Sequence, residues 1–96
     1  MPAYVVVIRE KTTDTEQLQT YSAKAPASLA GHEVKPRAFY QHVQAVEGDQ
    51  PEGVVILEFP TIEAAEAWYN SPAYQAAAAH RHAGSQSRVL IVQGVG

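Results

Sequence analysis

The sequence predicts an α+β fold in which strands and helices follow one another in the order βαββαβ. Three apolar segments, 3–8, 54–59 and 88–93, are rich in β-branched residues and lack helical spacing, as strands do. Two other stretches combine helix-start signals with apolar residues at helical spacing. A length of 96 residues provides for one hydrophobic core, so we expect a single domain that spans residues 1–96.

The first strand and helix are the most clearly marked. Segment 3–8 is apolar throughout, which predicts a strand with both faces buried. Segment 13–16 reads Thr-Asp-Thr-Glu and fits a capping box, so a helix should start near Asp14. Because Pro26 cannot continue the hydrogen-bond ladder, this helix should kink or restart there and end near Gly31. One stripe at helical spacing predicts its buried side: Leu18, Tyr21, Ser22 and Ala25.

The second strand is more polar than the others and is predicted over 34–46. Pro36 has no amide donor, so it belongs at a sheet edge or at a bulge. Segment 47–53 has the composition of a turn, and the chain then returns as the apolar strand 54–59.

Two helix starts follow one another after the third strand. Thr61 is the predicted N-cap of a helix through Tyr69, and Ser71 caps another helix that begins at Pro72, where a missing amide costs little. That helix should end near Gly84 in the left-handed conformation, and the last strand follows. The complete order is that of a ferredoxin-like plait, with both helical regions on one face of an antiparallel four-stranded sheet.

The opposite face of that sheet predicts a homodimer. An antiparallel sheet with one wet face alternates apolar and polar residues, whereas segments 4–8, 54–57 and 89–92 are apolar on both sides. Leaving such a face in water forfeits about 10 kcal/mol of burial, which rivals the whole stability of a small domain. A second copy of the chain, packed sheet to sheet, is the simplest cover.

Composition excludes several classes of function. Lys and Arg total 7 against 10 for Asp and Glu, a net charge of −3 without a basic patch, so we expect no nucleic-acid partner. There is no Cys, which removes disulfides and thiolate chemistry. No apolar run approaches the ~20 residues that span a bilayer, and no secretory leader is recognisable, so we expect a cytoplasmic protein without a membrane partner.

The chain resembles the domain-of-unknown-function family 1330 of the dimeric α/β-barrel superfamily over nearly its whole length. The residues that carry the resemblance are Met1-Pro2-Ala3-Tyr4, Pro26, Glu47-Gly48-Asp49, Glu58-Phe59-Pro60, Ala64-Ala65, Ala67-Trp68-Tyr69, Ser71-Pro72, Tyr74-Gln75, Arg81 and Gln93-Gly94-Val95. It departs from the family pattern at Gly31-His32, where paired glycines are frequent, and at Gln93, where Glu is usual. The resemblance implies two plaits with their sheets packed together, and it implies no particular reaction.

Arg81 is the most informative candidate for a functional site. It lies on one helical stripe with Tyr74, Ala77 and Ala78, the spacing of a core-facing side. Such a guanidinium needs a partner, since an unpaired buried charge is costly. The favoured interpretation is structural, a salt bridge or contacts with carbonyls at the helix end; the alternative is a clamp for a small anion. Glu58 is the preferred ion-pair partner, and the alternative makes it a general base.

The aromatic residues suggest a pocket, whereas the spacing of the histidines argues against a metal site. Five aromatic residues are candidates for a pocket between helices and sheet, although aromatics at helical spacing more often form core: Tyr21, Tyr40, Trp68, Tyr69 and Tyr74. His80 and His82 are two positions apart and point to divergent faces of a helix, so we predict no metal site. No phosphate-binding glycine loop is present, and no cofactor is predicted.

The favoured functional hypothesis is a small homodimeric protein that binds a small organic or anionic molecule in a cleft near Arg81. The candidate ligand-binding residues are Arg81, Glu58, Tyr21, Tyr40, Trp68 and Tyr74. One alternative is a non-catalytic dimerisation or ligand-sensing module, and another, by fold analogy alone, is a cofactor-independent oxygenase or isomerase. An enzyme should show a polar group of strongly shifted pKa in a closed pocket, whereas a scaffold should pair Arg81 with Glu58.

Overall fold

The predicted order of elements is confirmed in the computed structural model, which describes residues 1–96. Its elements are β1 (Ala3–Thr12), α1 (Thr15–Lys24), a 3₁₀ turn (Pro26–Leu29), β2 (Lys35–Phe39), β3 (Gly53–Phe59), α2 (Ile62–Tyr69), α3 (Pro72–Gly84) and β4 (Ser85–Gln93). All strand pairs are antiparallel, and the sheet order is β2-β3-β1-β4. None of the helices is long and apolar enough to cross a membrane.

The sheet has two faces, which strand alternation separates cleanly. In β1, Val5 and Val7 are buried under the helices, and we call this side the covered face. β3 contributes Val55, Leu57 and Phe59 to the same core. The residues between them point to the other side, the open face, whose apolar members are Tyr4, Val6, Ile8, Val54, Ile56, Leu90 and Val92. No other element of the chain covers that face, so Leu90 is 42% exposed and Val92 is 46% exposed.

The helix starts lie where the sequence predicts them. The hydroxyls of Thr61 and Ser71 accept hydrogen bonds from first-turn amides of α2 and α3. In α1 the cap is Asp14, whose carboxylate accepts from two amides of the first turn, rather than Thr13. The restart at Pro26 is also confirmed, because the 3₁₀ turn begins there and Gly31 then reverses the chain with φ of 82°.

The second strand is much shorter than the predicted 34–46. β2 ends at Phe39 because Tyr40 has a left-handed φ of 52°, which breaks the strand pleat. A loop then runs to β3, held by the Gln50 side chain, which bonds the backbone of Val43 and Ala45. The prediction for Pro36 is confirmed in both of its forms, because β2 is an edge strand and its register shifts directly after Pro36.

The end of α3 also differs from the prediction. Gly84 does not adopt a positive φ, so the left-handed terminator is wrong. A Cβ at this position would lie 2.9 Å from the carbonyl oxygen of Asp14 and 2.9 Å from the Cβ of Gln17. Gly84 therefore allows the C-terminus of α3 to touch the N-terminus of α1, and its carbonyl accepts the amides of Thr13 and Asp14. β4 follows immediately at Ser85, so the last strand starts three residues before the predicted position.

Candidate functional site

A cavity of about 100 Å³ lies between α1, the 3₁₀ turn and the covered face of the sheet. Three of the six predicted site residues line it: Tyr21, Tyr40 and Trp68. The other lining residues are nearly all apolar and include Val7, Val55 and Leu57 from the sheet and Ala25 and Leu29 from the helical side. An apolar concavity with a few polar groups is the usual form of a small-molecule site.

Trp68 forms a fixed wall of this cavity. Its ring packs against Phe59 and Tyr74, at centroid distances of 5.6 Å and 4.1 Å. Its indole Nε1 donates to the hydroxyl of Ser28 at 3.1 Å, and Ser28 in turn donates to the carbonyl of Ala25. Because both ends of the indole are held, the cavity is preformed at this side.

Tyr21 and Tyr74 form a buried pair of hydroxyls 2.9 Å apart. Two phenols carry two protons, and the bond between them uses one, so whichever hydroxyl accepts keeps a proton that finds no acceptor in the protein. Burial, and to a smaller extent the neighbouring Tyr74, raises the pKa of Tyr21 far above its usual value. Tyr21 therefore stays neutral and can donate a hydrogen bond at any physiological pH.

Arg81 is buried, as its place on the apolar stripe of α3 predicts, and only 3% of it is exposed. Its Nη1 donates to the Ser87 hydroxyl at 2.7 Å, whereas its Nε has no hydrogen-bond partner. No carboxylate lies within salt-bridge distance of it. Its Nη2 lies 3.5 Å from Nε2 of His82, so the side-chain contacts of the guanidinium are with Ser87 and His82 and not with a carboxylate.

The predicted pairing of Arg81 with Glu58 is wrong. Residues 55, 57 and 59 of β3 point to the covered face, so Glu58 points to the open face. There it accepts from Nε of Arg37 at 2.9 Å. The whole thickness of the sheet separates this carboxylate from the cavity.

A second arginine near the cavity, Arg9, was not predicted as a site residue from the sequence. Arg9 has the same strand parity as Val5 and Val7, and its guanidinium carbon lies 4.8 Å from the centroid of the Tyr40 ring. Its nearest carboxylate oxygen is that of Glu52, 3.4 Å from Nε, yet this nitrogen is buried without a hydrogen bond. Burial raises the pKa of Tyr40, and the charge of Arg9 partly offsets that effect.

The two arginines belong to one cluster on the covered face. Ser87, the partner of Arg81, is paired with Arg9 across β1 and β4. The charge of Arg81 also acts on Tyr21 and Tyr40, because it lowers the pKa of both phenols against the effect of burial. The structure therefore brings Arg81 and Tyr74 together with the three predicted aromatics of the lining and leaves Glu58 outside. It adds Arg9 and a fourth lining aromatic, Phe39, neither of which was predicted as a site residue. Arg81 and Tyr74 do not line the cavity themselves.

The histidines are dispersed. His80 binds the side chain of Gln17 at 2.7 Å, and His42 and His82 are exposed. No three His, Asp or Glu side chains stand together in a geometry that could hold a metal ion.

The sheet order and the two helical regions on its covered face define a ferredoxin-like α+β protein with a small apolar cavity. The sequence profile described as "Domain of unknown function (DUF1330)" matches residues 2–95, so the chain belongs to that family. This confirms the resemblance that the sequence motifs indicate. No curated protein shows significant sequence similarity to the chain.

Solved structures share this fold at low sequence identity. The methylated RPA0582 protein is 17% identical, with a TM-score of 0.76 over 99% of this chain and 82% of the other. Another structure of RPA0582 is described as that of a protein of unknown function from Rhodopseudomonas palustris. SnoaB, a cofactor-independent oxygenase from Streptomyces nogalater, is 13% identical with a TM-score of 0.69 over 99% and 94%. A dimeric ferredoxin-like protein of unknown function from Jannaschia sp. CCS1 is 16% identical with a TM-score of 0.67 over 98% and 100%.

Proposed function

We propose that this protein is a homodimer that binds a small organic acid in the helix-side cavity of each protomer. The observation that carries the proposal is an apolar cavity beside two covered-face arginines, neither of which has a complete set of acceptors. Of the two, Arg81 is buried without a carboxylate partner, whereas a buried charge that serves structure alone is usually paired within the chain.

The dimensions of the cavity limit the ligand to a small body. At about 100 Å³ the cavity is smaller than the ~150 Å³ apolar cavity that takes up benzene, so it can hold a branched aliphatic chain or part of one small ring. Aromatic rings from Tyr21, Tyr40 and Trp68 favour a planar occupant, because stacked and edge-on contacts add to simple burial.

The charge of the surroundings favours an anion. Arg9 and Arg81 place two positive charges on the covered face, and Glu52 is the only carboxylate within salt-bridge distance of either. The spare proton of the Tyr21–Tyr74 pair adds a neutral donor beside the cavity. A ligand with one acidic group therefore gains both from the positive potential and from an available donor.

Ligand binding without catalysis is the activity that this geometry supports best. None of the cavity's lining residues is His, Asp, Glu, Lys or Cys, so no lining side chain can act as a general base near neutral pH. An oxygenase or isomerase activity, suggested by fold analogy, would require such a group or an equivalent proton acceptor in the ligand itself.

The open face supports the dimer. Its apolar side chains are contiguous across three strands, since Val6 lies between Ile56 and Leu90 in the register of the sheet. A second copy of this face buries them without further elements, and the Jannaschia protein of the same fold is described as dimeric.

The ligand-binding proposal is tested by filling the cavity. In thermal-shift measurements, small aromatic and branched aliphatic acids should stabilise the wild-type protein. The expected gain in the free energy of unfolding is about 2.7 kcal/mol at a ligand concentration of 100 Kd. Ala25 lines the cavity, so Ala25→Leu should abolish the shift, whereas the matched control Ala23→Leu, exposed on the same helix, should retain it. Equal shifts for the two variants would place binding outside this cavity and contradict the proposal.

A further inference from the structure

The acidic group of such a ligand has one well-placed partner. We infer that Arg9 binds the carboxylate of the ligand at the mouth of the cavity, and that Glu52 is an internal counter-ion which this carboxylate displaces. The inference rests on the proposed function and specifies its ligand class, small aromatic or branched aliphatic monocarboxylates. Neither arginine lines the cavity itself. The direct contact is assigned to Arg9 because it packs on the lining residue Tyr40 and lines the open groove beside the cavity, whereas Arg81 lines neither.

Arg9 lies at the junction of the apolar cavity and a polar groove. Tyr40 lines the cavity, and Arg9 packs on its ring. On its other side Arg9 lines an open groove with Thr12 of β1 and with Thr15 and other residues of α1. Ser22 lines both the cavity and the groove. A ligand with its apolar part in the cavity would direct its carboxylate toward the groove. Arg9 therefore lies where the apolar part of the ligand ends and the carboxylate begins.

The guanidinium of Arg9 has unused capacity for an acceptor. Its Nε is buried and makes no hydrogen bond, although the side chain as a whole is 26% exposed. Packing on Tyr40 fixes the plane of the fork, and a fixed guanidinium is suited to bind a carboxylate through two parallel bonds. Arg81, linked to Arg9 through Ser87, adds a positive charge that Glu52 alone does not balance.

Glu52 is held by groups that do not require the side chain of Arg9. The hydroxyl of Thr12 donates to its carboxylate, and its own backbone amide donates to the carbonyl of Arg9 at 2.8 Å. The contact between Glu52 and Nε of Arg9 is long, at 3.4 Å, and the Glu52 side chain is 41% exposed. The carboxylate can turn to solvent while the backbone stays in place, which makes Glu52 a weak competitor for an external acid.

Calorimetric titration with two acids and their neutral amides tests this assignment. The probes are benzoate and 3-methylbutanoate, each paired with its amide, added to the wild type, Arg9→Gln and Glu52→Gln. Arg9→Gln should weaken acid binding about tenfold or more while the amides change less than about twofold. Glu52→Gln should strengthen acid binding about two- to fivefold and leave the amides unchanged. Lys35→Gln, which removes one positive charge from exposed β2, is the matched control and should change neither.

The possible outcomes separate this inference from the proposed function. If the wild type binds acids and amides equally, or if Arg9→Gln keeps the preference for acids, the cavity binds ligands but Arg9 does not select them, and the inference is overturned. If no probe binds the wild type, the proposed function and the inference both fail. Should Arg9→Gln not fold, the result rests on Glu52→Gln, whose exposed side chain is not needed for packing, and unchanged affinity there overturns the inference.

Discussion

At the scale of single residues, Arg81 shows how far a helical pattern can locate a buried charge. Its spacing from Tyr74, Ala77 and Ala78 predicted burial, and all four side chains are buried in α3. The partner could not be found in the same way, since Ser87 reaches Arg81 through the path of the chain from α3 into β4. Glu58 was predicted as the partner because it shares a strand face with the apolar residues Val54 and Ile56, but the helices cover the other face of β3.

Arg9 was missed for a related physical reason. It follows the apolar run of β1 and is followed by Glu10 and Lys11, which is the usual composition of a solvated strand end. The alternation of Val5, Val7 and Arg9 contained the signal, but that signal requires the strand to continue past Ile8. Three of the four lining aromatics were named from the sequence and Phe39 was not, and the sequence could not distinguish cavity wall from core.

The buried Tyr21–Tyr74 pair predicts a specific pH dependence of stability. Because the folded-state pKa of Tyr21 is raised, the unfolded chain releases this proton first once the pH passes about 10. The contribution of the Tyr21 phenol to the free energy of unfolding is therefore complete below that pH. Above it, this contribution decreases by at most about 1.4 kcal/mol per pH unit. Tyr21→Phe should lose about 1 kcal/mol at pH 8 through the missing hydrogen bond, and should then lose stability less steeply between pH 10 and 11.

Urea unfolding of the wild type and Tyr21→Phe at pH 8, 10 and 11 measures the two slopes. Tyr69→Phe is the matched control, because it removes a phenolic hydroxyl and leaves the Tyr21–Tyr74 bond intact. Parallel decreases for the wild type and Tyr21→Phe would show that the Tyr21 proton is not retained by the folded state.

At the scale of elements, local signals predicted helix starts better than element ends. The caps Thr61 and Ser71 act within one turn, so three or four residues of sequence contain all the information. The end of β2 depends on Tyr40, whose left-handed backbone accompanies packing of its ring on Arg9 from another strand. The end of α3 likewise depends on contact with α1. Both are tertiary effects that no local pattern contains.

Gly84 provides a test of the contact between α1 and α3. A side chain there meets the Asp14 carbonyl and the Gln17 Cβ at 2.9 Å, and neither neighbour is the end of a flexible side chain. Gly84→Ala should therefore destabilise the protein by about 1–3 kcal/mol through forced separation of the two helices. Gly84→Asn should be worse than Gly84→Ala because it is larger.

The order of the two Gly84 variants distinguishes the mechanisms. In a left-handed helix terminator Asn is the better replacement, since it tolerates positive φ more readily than Ala. The free energy of unfolding from urea titration decides the matter: a more stable Asn variant would contradict the close-approach explanation. Gly48, with φ of 82° and no atom within 4 Å of a built Cβ, is the control at which Asn should be tolerated better than Ala.

At the scale of the whole molecule, the two faces of the sheet have different tasks. The covered face holds the core, the cavity and the Arg–Tyr cluster, whereas the open face has apolar residues without a cover. This division was predictable, because unbroken apolar segments cannot belong to a sheet with one wet side. The position of the cavity was not, because it is lined by residues from α1, the 3₁₀ turn, α2 and three strands that meet only in the fold.

The proposed dimer predicts that one charge on the open face separates the protomers. Val6 lies at the centre of this face, between Ile56 and Leu90, so Val6→Asp would bury two carboxylates in a sheet-to-sheet interface. Analytical ultracentrifugation at low micromolar concentration should give twice the chain mass for the wild type and the single chain mass for Val6→Asp. Ala73→Asp, which adds the same charge to an exposed position near the start of α3, should remain dimeric. A monomeric wild type would contradict the proposal. It would show that the protein tolerates this apolar face in water, although burial of such a face is the free-energy gain from which the dimer is inferred.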